Sequence, residues 1–225
     1  MAGMVLLDGA GTFVDTVGAQ HGTGLMKTHT IDPAQPRAGE ALACLGKRTI
    51  VFVGLMGAGK SVIGKMTAAA MQIPFVDSDH EIEEVSRMSI ADLFASYGED
   101  EFRALEARVI RRLLRDGPMV LSTGGGAFMQ ERVRANIKRR GLSVWLRADL
   151  EILWERVKRR GHRPLLKTDD PKGTLSALLD SRYPVYSEAD LIIQSRDVPK
   201  ETIVEEVLDA IISNGPEGSA ESKKD

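Results

Sequence analysis

The chain has 225 residues, 43% of them hydrophobic, enough to bury one single-domain core with tails. Lys+Arg 30 against Asp+Glu 32 leaves a net charge of −2, which excludes a general attraction to nucleic acid or an anionic membrane, and the single cysteine, Cys44, excludes an internal disulfide and suits a reducing compartment. No stretch reads as a signal peptide or a membrane span, so a soluble, cytoplasmic protein is expected.

Residues 1–39 are rich in Gly, Ala and Thr, contain Pro33 and Pro36, and show no periodicity, so a disordered extension is expected; Met4 and Met26 offer alternative starting points for translation. The folded domain is placed at residues 40–212, with a short helix over Glu40 to Leu45 leading into it. Thr49-Ile50-Val51-Phe52-Val53 is an apolar, β-branched run that predicts a buried strand, and Val62 to Ala70 predicts a helix. Between them lies Gly54-Leu55-Met56-Gly57-Ala58-Gly59-Lys60-Ser61, which fits G-x-x-x-x-G-K-[S/T] in the strand–loop–helix setting of a phosphate-binding loop. Ile73-Pro74-Phe75-Val76 predicts a short second strand running into Asp77-Ser78-Asp79. Ser89 with Asp92 resembles a capping box for a short helix that Gly98 closes. Phe102, Leu105, Val109, Ile110, Leu113 and Leu114 mark one face of a longer amphipathic helix. Met119-Val120-Leu121 predicts a third strand, followed at once by Gly124-Gly125-Gly126 after two polar residues. A basic helix over Glu131 to Arg140 leads to a strand at Ser143 to Leu146, and Asp149 caps a helix running to about Arg160. A polar, proline-containing connection over residues 161–170 precedes a helix that Pro171 starts and that runs towards Arg182. Leu191-Ile192-Ile193 predicts the fifth strand, Pro199 opens a last helix through Ile212, and residues 213–225 form a polar, disordered tail. Strands alternating with helices predict an α/β fold with a parallel sheet covered by helices.

In such a sheet ligands bind beyond the carboxyl ends of the strands, which is where the unusual residues fall. The glycines of the first loop let backbone N–H groups turn towards a polyphosphate at a helix N-terminus, with Lys60 reaching the β- and γ-phosphates and Ser61 ligating Mg²⁺. Asp77 and Asp79 fall on one side if the strand continues through them; one then serves Mg²⁺ through water and the other meets an acceptor hydroxyl, the alternative being that one caps the next helix. The three glycines at 124–126 permit close approach of a ligand, or form a plain turn. Arg103 and Glu106 stand one helical turn apart and form a fixing salt bridge or an ordinary surface pair. Arg163 sits in the polar connection that is a candidate lid. His21, His29, His80 and His162 are not spaced as a metal site.

Taken in order, the phosphate loop, Asp77-Ser78-Asp79, Phe102-Arg103-Ala104-Leu105-Glu106, Gly124-Gly125-Gly126-Ala127, Arg163-Pro164-Leu165-Leu166 and Arg182-Tyr183-Pro184-Val185-Tyr186 resemble the shikimate kinases. The resemblance covers about residues 47–212. It implies a three-layer P-loop kinase fold of the nucleoside-monophosphate-kinase type, with a five-stranded parallel sheet flanked by helices. It implies transfer of the ATP γ-phosphoryl group to the shikimate 3-hydroxyl, on the route to chorismate and the aromatic amino acids, with Mg²⁺ as cofactor and a monomer expected. It further implies that Gly57, Ala58, Gly59, Lys60, Ser61 and Val62 bind the ATP phosphates, that Ser61 ligates the metal and that Asp77 stands in the metal's outer shell. Asp79 would bind the shikimate hydroxyls as the candidate base, or orient the hydroxyl without taking its proton. Arg103 and Arg182 would bind the carboxylate, Gly125 would meet the substrate through its backbone, and Arg163 would be the lid arginine on the ATP phosphates. Arg159 or Arg160 and the segment near Pro199 are neighbours for the adenine. The lid, Gly161-His162-Arg163, is short for the family, and the N-terminal extension has no counterpart in the family's core. The competing readings are a P-loop kinase for another small hydroxy acid such as gluconate, and an inactive nucleotide-binding homologue.

Overall fold

The computed structural model describes residues 36–158 and 168–215. The expectations for residues 1–35, for the lid with Arg159, Arg160 and Arg163, and for the tail from 216 onwards lie outside the described residues.

Five strands, β1 (Thr49–Val53), β2 (Phe75–Asp77), β3 (Val120–Ser122), β4 (Gly141–Arg147) and β5 (Leu191–Gln194), form one sheet in the order β2-β3-β1-β4-β5, every pairing parallel. The central strand has no alternation because both faces are covered: Ile50, Val51 and Phe52 are all fully buried. Among the described residues the helices are α1 (Pro36–Leu45), α2 (Lys60–Met71), α3 (Ser78–Ser86), α4 (Ile90–Leu113), α5 (Glu131–Arg140), α6 (Leu150–Val157), α7 (Pro171–Tyr186) and α8 (Lys200–Ser213), with a 3-10 turn at Ala127–Met129. α3 packs on α4, α4 on α5, and α6 on α7. α1 and α8 pack with α2 and with each other. None of the described helices is long and apolar enough to cross a membrane.

The differences from the sequence-based expectations have local causes. α1 begins at Pro36 rather than Glu40, a start for which the ring's fixed φ is suited, and it buries Ala38, Ala41 and Leu45. β2 begins at Phe75 rather than Ile73, because Pro74 has no N–H to give a ladder; its carbonyl instead accepts from the Val120 N–H at 2.8 Å. The extended backbone stops at Asp77, so Asp79 lies in the first turn of α3 and the side-by-side arrangement of the two carboxylates on a continuing strand is not adopted. Gly98, at φ 79° and ψ 179°, breaks α4 where a helix end is expected. α7 runs on to Tyr186 although Pro184 removes one of its hydrogen bonds, so the segment from Arg182 to Tyr186 is helical and turns Arg182 and Tyr186 the same way, four residues apart.

Candidate active site

The loop between β1 and α2 turns at Gly57 (φ 84°) and Gly59 (φ 101°), conformations that a side chain would strain. Its last glycine accepts from the N–H groups of Val62 and Ile63 at 3.0 and 2.9 Å, which starts α2 with Lys60 and Ser61 in its first turn. The helix N-terminus so placed favours an anion. Lys60 Nζ donates to the Gly54 carbonyl at 2.8 Å and to the Leu55 carbonyl at 3.1 Å.

The next residue, Ser61, has its Oγ 3.0 Å from Asp77 Oδ2 and 3.3 Å from Ser122 Oγ, joining the ends of α2, β2 and β3. Asp77 does double duty, since its Oδ1 accepts from the Asp79 N–H at 3.1 Å and caps α3. Asp79 is turned inward. Burial first and the Asp77 carboxylate second push its pKa above the usual aspartate value, against the opposing pull of Lys60 and Arg103.

Beyond Asp79 the site is organised on the three glycines that follow β3. A side-chain carbon at Gly124 would sit 2.8 Å from Asp79 Oδ1 and 3.2 Å from Glu106 Oε1, and one at Gly126 would overlap the Arg103 guanidinium. The carbonyl of Gly125 accepts from Arg182 Nη1 at 3.0 Å and from the Tyr186 hydroxyl. Close approach, rather than a plain turn, is therefore what these glycines provide. Two arginines from α4 and α7, far apart in sequence, meet at one short backbone segment beside Asp79. Arg103 Nη1 donates to Glu106 Oε2 at 2.7 Å and its Nε and Nη2 to Glu99 at 3.2 Å, so the sequence-predicted pair with Glu106 forms and is not a surface pair: Glu106 is 1% exposed. Gln130 Nε2 donates to the same Glu106 oxygen at 2.8 Å, while Glu106 Oε1 has no hydrogen-bond partner. Burial raises the Glu106 pKa; Arg103 opposes the shift and Asp79 adds to it. Tyr186 is fully buried and its pKa is pushed up to about 12, by burial first, with Arg182 opposing.

A cleft of about 450 Å³ runs from the phosphate loop past Asp77, Asp79 and Gly124–Gly125 on one side to Arg156 and the Ser195–Val198 segment on the other. Arg103 and Arg182 do not line it; Arg182 reaches Gly125, which does, and Arg103 stands against the next residue, Gly126. The structure thus brings together Gly57 to Val62, Asp77, Asp79, Gly125, Arg103 and Arg182, whereas Arg163 lies outside the described residues. The segment before Pro199, expected near a base, is part of the cleft wall. Sequence reasoning missed Arg156, Ser195 and Gln130, which are unremarkable polar residues until the fold places them. Tyr186 stood inside a quoted motif without a role, and its hydroxyl four residues after Arg182 was the available signal.

The strand order, the loop opening α2 and the carboxylates at the end of β2 together define the class: a P-loop kinase of the nucleoside-monophosphate-kinase type. The family model for shikimate kinase matches residues 56–212. The shikimate kinase of Rhizobium meliloti is 64% identical over 174 residues, spanning 77% of this chain and 91% of that protein. That of Rhizobium leguminosarum bv. trifolii is 60% identical over 180 residues, spanning 80% of this chain and 92% of its own. Among solved structures, a shikimate kinase from Acinetobacter baumannii in complex with shikimate superposes with a TM-score of 0.72 at 36% identity, over 77% of this chain and 98% of that one. The chain belongs to the shikimate kinase family.

Proposed function

We propose that this kinase transfers the γ-phosphoryl group of ATP to the 3-hydroxyl of shikimate, giving shikimate 3-phosphate and ADP, as a monomer in the cytoplasm. The observation that carries the reading is the convergence of Arg103 and Arg182 on Gly124–Gly126, next to Asp79 and at the end of the cleft away from Arg156. Two guanidinium groups suit a carboxylate through charge-assisted, bidentate contacts. A carboxylate anchored there leaves the ring hydroxyls towards Asp79 and the phosphate loop.

Phosphoryl transfer through a loose transition state needs alignment and charge neutralisation more than covalent chemistry. In this proposal Gly57 to Val62 hold the polyphosphate, and Lys60 neutralises charge on the transferring group, with Arg163 joining it from the lid. Asp79 accepts a hydrogen bond from the attacking hydroxyl. Its raised pKa makes it a stronger base than an exposed aspartate, so it is suited to take the proton late in the transfer. Ser61 Oγ and Asp77, 3.0 Å apart and all-oxygen, fit Mg²⁺, which takes few protein ligands and keeps waters and phosphates for the rest. Ser61 would hold that ion directly and Asp77 through water. When bound, the ion would supply charge neutralisation for the polyphosphate.

Coupled ADP release separates this reading from a kinase of another hydroxy acid and from an inactive homologue. The expected result is ADP release that depends on shikimate and is absent with gluconate or with no acceptor. Turnover with gluconate, or none with shikimate, would contradict it.

A further inference from the structure

A phosphate loop binds an anion only while its peptide N–H groups point inward, so its carbonyls must be held the other way. The described contacts give a donor to five of them. Lys60 Nζ serves the carbonyls of Gly54 and Leu55, and the N–H groups of Val62 and Ile63 serve that of Gly59. The two between are held from outside the loop. Arg156 Nη1 donates to the Gly57 carbonyl at 3.3 Å, and Ser195 Oγ donates to the Ala58 carbonyl at 2.8 Å.

Ser195 follows β5 directly and is 3% exposed. Its N–H donates to the Arg147 carbonyl at 2.6 Å, which fixes it to the end of β4. Its hydroxyl accepts from Arg156 Nη1 at 2.8 Å, and Arg156 Nη2 donates to the Arg196 carbonyl at 2.9 Å. One buried hydroxyl therefore fastens the middle of the loop to the sheet. The peptide it holds, Ala58–Gly59, is one that the loop's own sequence leaves undecided. Gly59 at φ 101° adjoins it, and glycine tolerates either orientation of a neighbouring peptide at little steric cost. Turned over, that peptide would present a carbonyl to the phosphates.

We propose that Ser195, seated against Arg156, is a positioning residue that selects the N–H-inward orientation of the Ala58–Gly59 peptide and so sets the affinity of the loop for polyphosphate. The proposal rests on the reading of the cleft as an ATP site and is independent of the acceptor. Removing the hydroxyl leaves a buried carbonyl without its donor, an effect expected to weaken polyphosphate binding roughly 5- to 100-fold.

The test uses the full chain with inorganic tripolyphosphate, which carries no base or ribose, titrated calorimetrically in the presence of magnesium. Ser195→Ala is expected to lose affinity for tripolyphosphate within that range and to raise the KM for ATP by a similar factor, with the KM for shikimate unchanged. Ser195→Thr keeps the donor and is expected to bind tripolyphosphate close to the parent. Should Ser195→Ala fail to fold, Ser195→Cys, of similar volume and with a weak donor, takes its place in the same comparison. A folded Ser195→Ala that binds tripolyphosphate as the parent does, a parent that does not bind it, or a parallel rise in both KM values would overturn the proposal. The titration contains no acceptor, so its outcome stands apart from the ADP-release assay on shikimate.

Discussion

At the scale of single residues, the site combines two carboxyl groups whose surroundings resist ionisation. Asp79 faces the cleft and Glu106 lies behind it, and burial is the leading cause for both. Asp79→Asn keeps the shape but not the basicity, so kcat is expected to fall roughly 10²–10⁴-fold if Asp79 takes the proton. A loss of only a few-fold in steady-state assays would leave it an orienting role. Glu106 makes a prediction about stability. Its folded pKa lies above the ordinary 4.5, so the folded state holds this proton more firmly than the unfolded chain does. That contribution favours folding below the ordinary value and is lost as the pH rises through the window from 4.5 upward to the folded value. Glu106→Gln has no such proton. The thermal midpoint of the variant minus that of the parent is therefore expected to become more positive as the pH is raised through that window. A difference that is flat, or moves the other way, would mean that Arg103 outweighs burial at this carboxylate.

At the scale of elements, α1 is the part whose extent the sequence hid. Its ten residues carry only alanines and one leucine on the buried face, too weak a pattern to separate from the preceding segment. In the fold that face packs on α8 and α2, the two helices that follow the Ser195–Val198 segment and the phosphate loop. A chain starting at Pro36 is expected to keep the thermal midpoint and the turnover of the parent. A chain starting at Lys47 loses the burial of Leu45, Ala41 and Ala38, worth about 2–4 kcal/mol. Differential scanning calorimetry should show a lower midpoint for it; equal midpoints for both truncations would mean that α1 contributes nothing to the fold. Other elements were legible because their signals are local. The strand and helix around the phosphate loop, the cap at Ser89 and the break at Gly98 all depend on residues within a few positions of one another. The end of α7 was not, because Pro184 argues locally for a stop while the burial of Tyr186 carries the helix past it.

At the scale of the whole molecule, the parallel sheet explains why so much of the site could be read in advance. Residues that follow β1, β2 and β3 meet at one edge whatever the rest of the chain does, so Lys60, Ser61, Asp77, Asp79, Gly124 and Gly125 are found together. What spacing alone left open was pairing across the fold: Arg182 with Gly125, Gln130 with Glu106, and Ser195 with the phosphate loop. In the proposed function, Arg103 and Arg182 form one site for the shikimate carboxylate. That carboxylate is remote from the reacting hydroxyl, so its binding stabilises ground and transition states alike, and its loss belongs in KM. The measurement that tests this most directly is the KM for shikimate and for ATP in Arg103→Ala and Arg182→Ala, each first shown by circular dichroism to be folded. Each variant is predicted to raise the shikimate KM roughly 30-fold or more, with the ATP KM changing far less. Folded variants that phosphorylate shikimate with an unchanged KM would contradict the account.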